Sequence, residues 1–240
     1  MKELMLEVSE ELPEIFFIPG QREGKYPYSH SLLINDTLID TGISSGYVRK
    51  LKRETPIKKV ILSHWHEDHI SGNRILPEVE YIAHPEDIPI IEDVSKMYEY
   101  YHVDENSPQR DLFDTILQGL RLESVSVDTP LSDNKSIEIN DRYELNVIHT
   151  PGHTKGHCCF YEKKAKLAFL GDIDLSRLGP WYGGIDSDVM EFEESINKIR
   201  NLDIDIAISG HKGVFYNSKE IQEKLQKFQN KIYERDEKIL

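Results

Sequence analysis

Four side chains able to bind a divalent metal fall within six positions of one another: His64, His66, Asp68 and His69, in the segment SHWHEDHISG at residues 63–72. With 10 His and 18 Asp in 240 residues, independent placement yields H-x-H-x-D-H in only about one such chain in a thousand. A metal site therefore accounts for the cluster better than chance does. Imidazole with carboxylate suits zinc or iron, whereas calcium takes an all-oxygen shell. Along an extended chain alternate residues share a side, so His64 and His66 face one way. A turn after them would aim Asp68 and His69 at a second, neighbouring point. Two adjoining ligand sets predict two adjoining metals and hydrolytic chemistry.

Three further candidates lie in the second half. His153 sits in the Pro-Gly turn of TPGHTKGH, Asp172 follows a glycine in FLGDIDL, and His211 stands between two glycines in SGHKG. Each follows an apolar run, as the first cluster follows KKVIL (residues 58–62). Such runs read as buried strands, so all the candidates are expected at strand ends, where loops can converge on one rim. The other histidines, His30, His84, His102, His149 and His157, are expected to be hydrogen-bonding or surface residues. His149 and His157 flank a candidate ligand and could orient His153.

The elements that must position these residues are legible in outline. Short strands are expected at 15–18, 31–34, 37–39, 80–83, 136–139, 143–148, 158–161, 167–170 and 204–209. Asn35-Asp36 and residues 162–166 read as hairpin turns, and Asp40-Thr41-Gly42 closes the first hairpin with a carboxylate. Helices are expected at 44–54, with Ser44 or Ser45 as cap, and at 85–101, 108–120 and 189–201. Ile221, Leu225, Phe228 and Ile232 give residues 218–240 one apolar face. That helix is expected to pack on the domain, with a homo-oligomer contact as its other use. Residues 85–120 form a tyrosine-rich insert. No linker or low-complexity tract divides the chain, so residues 1–240 are expected to form a single domain with sheet packed on sheet and helices outside.

Composition narrows the partners. A net charge of −14, from 29 basic and 43 acidic residues, disfavours nucleic acid and anionic membrane surfaces. The opening residues carry five glutamates where a secretory signal would be basic and then apolar, and no apolar run is long enough to span a membrane. The only cysteines, Cys158 and Cys159, are adjacent and fit a reducing compartment better than a disulfide framework. A cytoplasmic protein with a small-molecule substrate is expected.

In this order, H-x-H-x-D-H, the PGHT histidine, the aspartate after glycine and the late histidine resemble the metallo-β-lactamase-fold hydrolases. The resemblance runs from Asp40-Thr41-Gly42 to His211 and fills all seven ligand positions. It implies an α+β fold, a four-layer αββα sandwich with a dinuclear site on one edge. It assigns His64, His66 and His153 to one metal and Asp68, His69 and His211 to a second, with Asp172 bridging. Zinc is the first expectation for the two divalent ions, with iron or manganese as the others.

Two cations sharing a water lower its pKa from about 15.7 towards neutrality. A bridging hydroxide is then expected to attack a carbonyl, with Asp68 and Asp172 as the catalytic carboxylates. The chain has no G-x-S-x-G elbow, and this chemistry needs none. The sequence contexts are most similar to the glyoxalase II-like group, without the C-terminal glutathione-binding region of that enzyme. The expectation is therefore ester or thioester hydrolysis, with glutathione not named. Arg177, Trp181 and Tyr182, in the loop after Asp172, are candidate pocket residues. The rival readings are a lactonase, a persulfide dioxygenase with one iron on His64, His153 and Asp172, and a non-catalytic metal-binding module.

Overall fold

The computed structural model describes residues 4–238. The first half of the chain builds one sheet, from β1 (Leu6–Glu7), β2 (Ile15–Ile18), β3 (Ser31–Ile34) and β4 (Thr37–Ile39). Next come α1 (Ser45–Glu54), β5 (Lys59–Ile61), α2 (Glu67–Ile70), β6 (Glu80–Ala83), α3 (Ile88–Ile91), α4 (Met97–Tyr100), α5 (Arg110–Leu120) and β7 (Thr129–Pro130). The seven strands lie in sequence order, antiparallel from β1 to β4 and parallel from β4 to β7.

The second half builds a six-stranded sheet from β8 (Ser136–Glu138), β9 (Glu144–His149), β10 (Cys158–Glu162), β11 (Leu167–Phe169), β12 (Ile206–Ser209) and β13 (Gly213–Phe215). Between and after these strands run α6 (Val189–Arg200) and α7 (Ser218–Asp236). Only β11 and β12 pair in parallel, because α6 carries the chain back across the sheet between them.

Strand alternation puts alternate residues on opposite faces, and three apolar clusters result. Ile15, Leu32, Ile34 and Ile61 of the first sheet meet Leu145, Val147, Phe160 and Phe169 of the second in the central layer. The outer face of the first sheet, with Leu33, Leu38 and Val60, packs on Val48 and Leu51 of α1 and on Ile90, Ile91 and Met97. The outer face of the second, with Cys159, Ala168 and Ala207, packs on Phe192, Ile196 and Ile199 of α6 and on Ile221, Leu225, Phe228 and Ile232 of α7. These are the four layers of an αββα sandwich. Each buried side chain of that α7 stripe contributes about 1.5–3 kcal/mol by transfer from water, so Phe228→Ala would cost ~3–5 kcal/mol.

Helix starts follow local chemistry. Ser44 caps α1 by accepting from the Tyr47 N–H, Asp188 caps α6 and Asn217 caps α7. The expected helix at 85–101 is broken, because the Asp93 side chain accepts the Ser95 N–H and restarts the chain as a 3-10 turn before α4. The short strands β1, β7 and β13 had no sequence signal of their own. β7 contains Pro130, which fits an edge strand that needs no further N–H donor. The C-terminal helix ends at Asp236; residues 239–240 of its expected span lie outside the described residues. Among the described residues no helix is long and apolar enough to cross a membrane.

Candidate metal centre

All seven candidate ligands gather on one rim of the sandwich. His64 and His66 follow β5, Asp68 and His69 lie on α2, His153 follows β9, Asp172 follows β11 and His211 follows β12. The two sheets reach this rim from opposite sides of the central layer, which brings the halves of the chain together. Gly210 permits a close approach: a Cβ there would lie 2.9 Å from His69 Cε1 and 3.0 Å from Asp172 Oδ1.

The donor atoms form two groups able to hold a metal ion, His64, His66, His153 and Asp172 in one and Asp68, His69 and His211 in the other. His64 Nε2 and His66 Nδ1 stand 3.0 Å apart. Asp172 lies between the groups, with Oδ2 3.1 Å from His153 Nε2 and Oδ1 3.0 Å from His69 Nε2 and 3.3 Å from His211 Nε2. Asp68 Oδ2 is 3.4 Å from His211 Nε2.

The outer nitrogens of four histidines are occupied, which fixes the tautomers and leaves lone pairs turned inwards. His69 Nδ1 donates to Asp40 Oδ2 at 2.7 Å, His153 Nδ1 to the Trp181 carbonyl at 2.9 Å and His211 Nδ1 to the Gly24 carbonyl at 2.7 Å. His64 Nδ1 faces Ser63 Oγ at 2.9 Å, and that hydroxyl donates to Asp40 Oδ2. His153 Nε2 and Asp172 Oδ1 are buried without a hydrogen bond, an expensive arrangement unless a cation satisfies them.

Electrostatics points the same way. Burial pushes His64 and His66 well below the usual imidazole range, and neighbouring histidines add to it. Burial also lowers His69 and His211, but Asp172 outweighs it, helped by Asp40 at His69 and Asp68 at His211. His69 ends well above its ordinary value and His211 at about 9. Asp172 is raised by burial, yet His211, His69 and His153 take it well below the carboxylate range. The centre thus combines two imidazoles held neutral, His64 and His66, with two, His69 and His211, whose carboxylate neighbours favour positive charge, which a bound cation would supply in place of their protons. That donor set fits divalent metal ions such as zinc or iron.

A cavity of about 540 Å³ opens onto this centre. Its walls include His66, Asp68, His153, Asp172 and His211, with Tyr26, Tyr101, Val103, Phe113 and Trp181 as apolar cover. Trp181, 46% exposed, stands 5.3 Å from the His66 ring and 6.1 Å from Tyr101. Two of the expected pocket residues are elsewhere. Arg177 is exposed and does not line the cavity. Tyr182 turns towards α7, where the Arg235 guanidinium lies 5.2 Å from its ring. His149 and His157 are hydrogen-bonding residues, as expected, but neither bonds the His153 side chain. His157 Nε2 accepts the Asp172 N–H at 3.1 Å, so it holds Asp172 rather than His153. His149 stacks on His84 and bonds the Lys155 carbonyl.

Several residues that support the centre carried no sequence signal of their role. Asp40 is fully buried and accepts from Ser63 N–H, Ser63 Oγ and His69. Glu67, also buried, accepts the Tyr26 phenol at 2.6 Å and the Tyr101 phenol at 2.7 Å. Asp87 takes the Trp65 N–H, the Thr154 hydroxyl and the Gly156 N–H. It thereby ties the first histidine cluster to the turn carrying His153.

The profile described as "Metallo-beta-lactamase superfamily" matches residues 29–211. The hydroxyacylglutathione hydrolase of Haemophilus influenzae is 28% identical over 194 residues, covering 74% of this chain and 80% of that protein. An atrochrysone carboxyl ACP thioesterase of Aspergillus fumigatus is 27% identical over 230 residues, covering 92% of this chain but 61% of its own length. The crystal structure of a metallo-beta-lactamase family protein from Thermus thermophilus superposes with a TM-score of 0.72 at 20% identity, covering 96% of this chain and 83% of that one.

Proposed function

Since the chain belongs to the metallo-beta-lactamase superfamily, we propose that it is a dinuclear metal-dependent hydrolase cleaving an ester or thioester of a small molecule. The observation that carries this reading is the place of Asp172, whose two oxygens face His153 on one side and His69 and His211 on the other. One ligand set would suffice for a single ion, and a shared carboxylate suits two. His64, His66 and His153 would hold one ion, Asp68, His69 and His211 the other, and Asp172 both. Two divalent cations there supply Lewis acidity and bring the pKa of water towards neutrality.

The chain's own residues supply orientation and shape. Asp68, on the cavity wall, would hold the attacking water and accept its proton. Tyr101, Val103, Phe113 and Trp181 would cover the acyl portion and exclude solvent from the carbonyl. Glu67 braces that wall by holding Tyr26 and Tyr101 from two separate loops. Thioester substrates are favoured because one relative is named an atrochrysone carboxyl ACP thioesterase and another an acyl-coenzyme A thioesterase.

The test is metal analysis of the purified protein, followed by turnover on thioesters, esters, lactones, β-lactams and phosphodiesters. About two divalent metals per chain with thioester or ester turnover are expected. A single iron with oxygen uptake on a persulfide would replace this reading with the dioxygenase one.

A further inference from the structure

One buried histidine outside the ligand set, His30, reaches His211 by two routes. Its backbone N–H donates to the Gly210 carbonyl at 2.7 Å, one residue before His211. Its ring supports the loop at residues 20–28, and the Gly24 carbonyl of that loop accepts His211 Nδ1–H at 2.7 Å. From these contacts we infer that His30 is a positioning residue for His211. Its ring holds the Gly24 carbonyl in place, and the carbonyl keeps His211 Nε2 turned towards Asp68 and Asp172.

The shape of the loop calls for such support. Arg22, Glu23 and Gly24 have φ of 55°, 60° and 65°, three successive left-handed residues of which only the glycine is free of a steric penalty. Backbone of this kind persists where its surroundings over-determine it. The His30 ring supplies two constraints. Nδ1 accepts the Gly20 N–H at 3.0 Å, just ahead of the turn. The far side of the ring lies against Gly24, where a Cβ would come 2.6 Å from Nε2, 2.7 Å from Cε1 and 2.8 Å from Cδ2.

Contacts to the outer nitrogen of a metal-binding histidine set its tautomer and ring orientation, so the Gly24 carbonyl matters to the metal and His30 matters through it. The same loop places Lys25 and Tyr26 on the cavity wall, where Glu67 accepts the Tyr26 phenol. His30 thus joins one wall of the cavity to one ligand of the centre. This inference rests on the dinuclear reading above, because it concerns the ion assigned to Asp68, His69 and His211.

The test is competition between a chromophoric chelator and the cobalt(II)-loaded protein, for wild type, His30→Asn, Gly24→Ala and the double variant. Asparagine keeps an acceptor close to the Nδ1 position for the Gly20 N–H and removes the part of the ring that meets Gly24. It also keeps the backbone bond to Gly210. His30→Asn is expected to weaken one ion about tenfold or more and to leave the other within threefold of wild type. Gly24→Ala should weaken the same ion, because its Cβ meets the ring from the other side. It keeps His30 in place, so the test stands if His30→Asn misfolds. The double variant should lose less than the product of the two single losses, since both act on one contact. In a His211→Ala protein, His30→Asn should leave the affinity for the remaining ion unchanged.

Two ions bound by wild type and held within threefold by both folded single variants would overturn the role of His30 alone. Equal weakening of both ions with a lowered melting temperature would reduce the ring to a packing role and also overturn it. Wild type that binds a single ion would overturn the dinuclear reading and this inference with it.

Discussion

Asp40→Asn removes one negative charge from beneath the candidate metal centre with almost no change in volume. Asp40 sits at the end of β4 with φ 61°, a left-handed conformation that asparagine tolerates, so the substitution tests the carboxylate and not the backbone. Its two oxygens accept three hydrogen bonds of 2.7 Å, from the Ser63 N–H, the Ser63 hydroxyl and His69 Nδ1. An amide has one acceptor oxygen. If that oxygen faces Ser63 N–H, the NH₂ group meets His69 Nδ1–H. The ring must then turn over its tautomer and protonate Nε2, the atom that faces Asp172 and His211. If the amide flips, the buried Ser63 N–H loses its acceptor, at about 1–3 kcal/mol.

Either outcome removes support from a ligand, for which losses of about 10–100-fold in metal affinity are typical. At 1.4 kcal/mol per factor of ten, that is about 1.4–2.8 kcal/mol. Competition with a chromophoric chelator measures it for each metal. Because Asp40 reaches His69 directly and His64 through Ser63, Asp40→Asn should weaken both metals. Ser63→Ala removes only the His64 link and should weaken one. Metal affinities within threefold of wild type in folded Asp40→Asn would refute the reasoning. So would a Ser63→Ala variant that loses both metals equally.

Asp68→Asn should lower kcat by ~10²-fold or more on the best ester or thioester substrate, and kcat within threefold of wild type would remove Asp68 from the chemistry. Trp181→Ala should raise KM or alter preference across a substrate panel, whereas Tyr182→Ala, which faces α7, should lower the melting temperature and leave preference alone. The reverse pattern would exchange their assignments. Asp87 yields a pH prediction: burial, with Asp186 beside it, pushes its carboxyl up to about 8 against three hydrogen bonds. A carboxyl raised above its ordinary 3.8 in the folded protein favours the fold when protonated, so its contribution is complete below that value and declines as pH rises towards 8. The stability of wild type relative to Asp87→Asn should therefore fall between pH 5 and 8 in thermal melts, and a difference that does not change with pH would contradict the raised value.

The strands were legible where short apolar runs end in turn residues. Ile15–Ile18, Ser31–Ile34, Thr37–Ile39 and Glu80–Ala83 all have the bounds expected from that pattern. The candidate ligands were legible for a different reason. Few residue types can hold a transition metal, so their order along the chain is informative without any knowledge of the fold. Asp40 shows the limit. A lone carboxylate before a turn glycine has many uses, and nothing in its spacing says that it faces His69, 29 positions later. Asp87 and Glu67 were equally silent, because each acts through partners from distant loops.

The cavity wall was the least legible part, and its construction explains why. Tyr101, Val103 and Phe113 come from the tyrosine-rich insert, Tyr26 from the loop before β3, and Trp181 from the loop after Asp172. No single segment could have announced it. Within the 176–185 loop, contacts separate the three candidate pocket residues: Trp181 faces His66 and Tyr101 on the cavity wall, Tyr182 faces Arg235, and Arg177 does not line the cavity. Trp181 also has two independent roles. Its carbonyl holds His153 Nδ1, and its indole covers the cavity. Replacement by alanine removes the indole and keeps the carbonyl, so substrate preference can shift while metal content stays constant. A change that moves the backbone of this loop would disturb both at once. Selectivity and metal retention should therefore separate under side-chain substitution at residue 181 and move together when the loop is shortened.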